Sequence, residues 1–99
     1  MTPLEARLAA LAAAGQTTSY GDLARDLGLR MADLTAALER LMEEDAAQGR
    51  PFRAALLHQR LSPDALPAPG FFLKAQALGQ GVEDPAAFVA RHRAGLSRG

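Results

Sequence analysis

Residues 17–29, TTSYGDLARDLGL, limit the fold more than any other stretch of this chain. The Thr-Thr-Ser run can cap a helix, Leu23, Ala24 and Leu27 recur at helical spacing, and Gly28 stands where the helix should stop. This predicts a short helix over about 20–27. A second periodic stretch follows at once: Met31, Leu34, Leu38, Leu41 and Met42 share one face, predicting a helix over about 31–47. The Leu27-Gly28-Leu29 junction lets the chain re-enter a helix at a large angle, so the two form a helix-turn-helix unit. Upstream, Thr2 as cap, Pro3 in the first turn, and Leu4, Leu8 and Leu11 predict a first helix over about 3–14, closed by Gly15.

Past Gly49 the pattern changes. RPFRAALLHQRLS runs apolar from Phe52 to Leu61, interrupted by Arg53, His58 and Arg60, which predicts a strand. SPDALPAPGFF holds three prolines and a glycine, which predicts a long irregular turn into a second strand around Phe71 and Phe72. The two strands would make a β-hairpin wing between about 52 and 73. FLKAQALG at 72–79 and DPAAFVARHRAG at 84–95 read as short helices, the latter with Asp84 as cap and Pro85 at its first position. With 99 residues, 48% hydrophobic, the chain supports one modest core. The expectation is therefore one mainly α (α+β) domain over 1–99, a winged helix-turn-helix with three N-terminal helices, a hairpin wing and C-terminal helices.

Several function classes are disfavoured. There are no cysteines and the two histidines, His58 and His92, are far apart, so thiolate chemistry is excluded and no metal or cofactor is expected. No catalytic carboxylate pair, Ser-His-Asp set or phosphate-binding glycine loop is visible, which argues against an enzyme. The longest apolar run, 8–15, is too short to span a bilayer and lacks the basic start of a secretion signal. The Ala- and Arg-rich composition suits a bacterial, cytoplasmic protein.

Net charge is zero, but it is divided unevenly. Residues 1–49 carry four arginines against eight carboxylates, net −4; residues 50–99 carry seven cations against three carboxylates, net +4. A polyanion would accordingly meet the second half. The positions of the third helix expected to face outward, Asp33, Thr35, Ala36, Glu39, Arg40, Glu43 and Glu44, are mostly acidic and suit phosphate poorly.

Residues 15–83 resemble winged-helix domains, and more narrowly the C-terminal DNA-binding domain of the O6-alkylguanine alkyltransferases and the catalytically silent alkyltransferase-like proteins. GQTTSYGDLARDLGL is similar to that family's Gly-x-Val-x-Thr-Tyr-Gly-Asp-Ile-Ala stretch, and RPFRAALL and LKAQALGQGVE follow at about its intervals. The family's acceptor lies in Pro-Cys-His-Arg. Here Pro51 is followed by Phe52 and Arg53, so no sulfur can accept an alkyl group. The family's base-flipping arginine also has no counterpart between 31 and 39. The resemblance implies the fold and none of the alkyl-transfer chemistry.

The leading expectation is a small non-enzymatic protein that binds duplex DNA mainly through its backbone. Arg50, Arg53, Arg60 and Lys74 are the expected phosphate contacts, with Arg30 and Thr35 at the start of the third helix. Tyr20 joins them because the resembled family keeps a tyrosine there near the flipped nucleotide. The plainer role for Tyr20 is a buried ring with a bonded hydroxyl. The alternative is a protein-interaction module of the same fold, offering its acidic third helix or Phe71 and Phe72 to a protein partner or a second copy. As neighbours in a strand, those two rings would face opposite ways, one in the core and one outward.

Overall fold

A computed structural model describes residues 1–98. The chain runs α1 (Pro3–Ala14), β1 (Thr18–Ser19), α2 (Tyr20–Leu27), α3 (Met31–Ala47), a 3-10 turn (Arg53–Leu56), β2 (Leu57–His58), α4 (Pro69–Ala77) and α5 (Pro85–Arg98). It is mainly helical with one small two-stranded sheet.

The first three helices begin and end where local chemistry dictates. At α1 the Thr2 hydroxyl accepts from the Glu5 N–H while the Glu5 carboxylate accepts from the Thr2 N–H, a reciprocal cap on two otherwise unbonded donors. At α2 the Ser19 hydroxyl accepts from the Asp22 N–H. Gly28 ends α2 at φ +66°, a left-handed conformation that costs a side chain about 1–2 kcal/mol, and α3 starts three residues on. Leu34, Leu38, Leu41 and Met42 bury one stripe of α3, while all seven positions expected outward are exposed.

The expected hairpin wing over 52–73 is not formed. Arg53–Leu56 wind into the 3-10 turn, only Leu57 and His58 form a strand, and they pair in parallel with Thr18 and Ser19. Residues 69–77 are helical, so Phe71 and Phe72 lie in the first turns of α4 and not on a strand. Proline explains the difference. Pro69 sits at the first helical position, where its fixed φ fits and its missing N–H is not required, so it opens a helix and does not block one. On a helix adjacent side chains diverge by about 100°, not 180°. Phe71 is buried and Phe72 half-buried, with rings 5.2 Å apart edge to face.

At α5 the Asp84 carboxylate accepts from the Ala87 N–H and Pro85 opens the helix. One core joins all five helices. Its centre is Phe52, whose ring meets Phe71 edge to face at 6.0 Å and stacks on His92 at 4.9 Å. None of the described helices is long and apolar enough to cross a membrane.

Candidate interaction surface

Three of the seven cations of the second half, Arg50, Arg53 and Lys74, pair with carboxylates of the first. Asp45 is completely buried near the end of α3. It accepts from the Arg53 backbone N–H (3.0 Å), from Arg53 Nε (3.0 Å) and from Arg50 Nη2 (3.0 Å). Arg53 continues to Glu5 on α1 through Nη1 at 3.2 Å, while its Nη2 lies 2.9 Å from Asp45 without making a hydrogen bond. Burial works against the Arg53 charge, but the bonds to Asp45 and Glu5 outweigh it and hold its pKa above the ordinary value. Glu5 is held below the usual carboxylate range, first by the Thr2 N–H and hydroxyl and then by Arg53. Lys74 reaches Glu43 at 2.6 Å and Arg30 pairs with Asp33 at 3.1 Å.

Of the seven residues expected at phosphate, Arg30, Arg50, Arg53 and Lys74 therefore already hold carboxylates. Arg60 is exposed and makes no ion pair among the described residues, and Thr35 is exposed on α3. The Tyr20 hydroxyl accepts from the Ala68 N–H at 3.0 Å. Burial raises its phenol pKa, opposed by that bond and by the charge of Arg93. The structure thus ties α2 to the start of α4 through Tyr20 and does not gather the seven residues onto one face.

Between α3 and the start of α4 lies an open groove of about 330 Å³. Met31, Leu38 and Met42 of α3, Ala54 of the 3-10 turn, and Ala68 and Phe71 make its apolar lining. Tyr20, Thr35 and Glu39 supply the polar atoms. Met31, at the α3 side of the groove, is 48% exposed, so apolar surface continues there onto α3. The exposed face of α3 carries Asp33, Glu39, Glu43 and Glu44 beside Arg40, with Asp33 met by Arg30 and Glu43 by Lys74.

Three residues matter here in roles that the sequence does not assign to them. Asp45 is one; it extends the stripe of Leu38, Leu41 and Met42 at helical spacing, and that was its signal. The second is His92, whose Nδ1 accepts from the Phe52 N–H at 2.8 Å, leaving the ring proton on Nε2. Arg93 is the third. It donates to the carbonyls of Ala55 and Ala65, both at 2.7 Å, pinning the 3-10 turn to the loop before α4, and burial lowers its pKa. The sequence offers the last two only as members of the basic Arg91-His92-Arg93 run, not for these contacts. Among the described residues there is no group of three His, Asp or Glu that could hold a metal ion. Comparison with protein-family models, curated proteins and solved structures finds no match to this chain.

Proposed function

We propose that this protein is a protein-interaction module whose α3–α4 groove receives an amphipathic segment of a partner, with apolar anchors flanked by lysine or arginine. The apolar groove bordered by the acidic face of α3 carries this reading. Methionine lining adapts to different anchors, and the unpaired Glu39 supplies the charge complement. The test is a titration with a helical Leu/Lys model peptide and its Leu/Glu counterpart, followed by methyl NMR. The Leu/Lys peptide should shift Met31 and Met42, and Glu39→Lys should weaken it by about tenfold. Equal binding of both peptides, or no shift at the methionines, overturns the reading. Self-association seen by sedimentation would name a second copy as the occupant.

A second reading, a DNA-binding domain of helix-turn-helix type related to the alkyltransferase-like proteins, is favoured by the α2–Gly28–α3 unit and by Arg60, which makes no ion pair among the described residues. It predicts duplex binding that weakens steeply with salt, and an Arg60→Ala variant whose log–log salt slope is smaller by about one.

A further inference from the structure

We infer that the cleft between the end of α3 and α5 is a binding site for the phosphate group of a small phosphomonoester. It shares no residue with the α3–α4 groove. The cleft has a volume of about 260 Å³ and brings together Arg50, Arg91, His92 and Gln80 beside Gly49 and Pro51. No carboxylate is among these residues.

Each donor is aimed by a contact of its own. Arg50 gives Nη2 to buried Asp45, which anchors the guanidinium while the side chain stays 46% exposed. Arg91 lies over the Phe88 ring, 5.4 Å from its centre, on the turn of α5 that also carries His92. The Phe52 N–H occupies His92 Nδ1, so the neutral ring presents Nε2–H as a donor. Arg91 is close enough to His92 to oppose its protonation. Two guanidiniums and a ring N–H thus line one cleft, and among the described residues only Arg50 of the three has a carboxylate partner, leaving Arg91 to pair with an oxyanion. Guanidinium favours phosphate because its paired N–H groups match two oxygens at once. Gln80 adds a carboxamide donor at the wall. A cleft of this volume, open to solvent on one side, holds a phosphate with a few attached atoms.

The test uses the full chain, with inorganic phosphate and ribose 5-phosphate as probes and side-chain NMR of arginine Nε and the His92 ring as readout. Both probes should saturate a single site, with shifts confined to Arg50, Arg91, His92 and Gln80. Arg91→Ala should weaken binding by at least about fivefold without moving Tm, and Arg98→Ala, on the same helix, should change nothing. Arg50→Lys keeps a cation near Asp45 and should weaken binding by a similar factor. Shifts that grow linearly and equally at Arg60 and Arg98 overturn the proposal, as does saturable binding that survives Arg91→Ala. Arg91-dependent binding of a duplex oligonucleotide with no response to either small probe overturns it as well.

Discussion

His92 sits between two aromatic rings, 4.9 Å from Phe52 and 4.4 Å from Phe88, with an acceptor nitrogen that works only while unprotonated. Burial, then the charge of Arg91, lowers its pKa below the ordinary 6.5, with Asp45 opposing. The unfolded chain therefore binds this proton more readily than the folded one. The stability it confers is complete above 6.5 and is lost as pH falls through the lowered value. Thermal melts from pH about 7.5 down to about 5 should show a falling Tm. His92→Phe keeps a ring in the stack but leaves the Phe52 N–H unbonded, so it should be less stable at pH 7.5 and flatter across that window. Gly95 is the other residue whose chemistry is decided by a neighbour. A Cβ there would lie 2.8 Å from Pro51 Cγ, and Pro51 is fixed between Arg50 and Phe52, both bonded elsewhere. Replacing a helical glycine with alanine normally gains up to about 1 kcal/mol. Overpacking costs about 1–3 kcal/mol, so Gly95→Ala should be destabilising by about 1 kcal/mol in urea denaturation.

Among the elements, α4 departs most from its sequence reading, and its two phenylalanines report on that. Phe71 contacts the Phe52 and Phe88 rings and shares the buried face of α4 with Ala75, four residues on. Phe72 points toward Leu66, Pro67 and Val82 over the loop side. Phe71→Ala should cost about 3–5 kcal/mol and Phe72→Ala about 1–2 kcal/mol, read from urea midpoints. If the α3–α4 groove is a docking site, the Phe72 variant should still bind the Leu/Lys peptide, because Phe72 does not line it. Equal costs at the two positions would contradict the unequal burial of these rings.

For the molecule as a whole, the opposite charges of its two halves form the joint between them. Arg50 and Arg53 meet Asp45 and Glu5, and Lys74 meets Glu43, each pair crossing from the +4 half to the −4 half. These contacts are unequal. Asp45 is fully buried, and removing its charge leaves the Arg53 guanidinium, only 18% exposed, short of its main partner. Asp45→Asn should cost about 3–5 kcal/mol, a large share of what holds a domain of this size together. The outer pair should count for little, with Glu43→Ala costing under about 1 kcal/mol. The same joint takes Arg53 off the surface that a phosphate backbone would meet, while Arg50 stays half-exposed.

Three helices were legible because their instructions are local: the caps at Thr2 and Ser19 and the stops at Gly15 and Gly28 lie within a turn of the residues they govern. The stripe on α3 was legible for the same reason. Phe71 and Ala75 at helical spacing after Pro69 also carry a local signal for α4, but the prolines at 63, 67 and 69 read equally as an irregular turn. What the tertiary structure alone decided is everything that depends on distance along the chain. Thr18 pairs with Leu57, Arg53 with Glu5, and Phe52 with His92, across 39, 48 and 40 positions respectively. A search of three residues either side of Arg50 and Arg53 finds no carboxylate, so sequence presented both as available to a polyanion. Their partners arrive only when α1, α3 and the 3-10 turn pack together, because an ion pair is set by proximity in space, and burying Asp45 without them would be prohibitively costly.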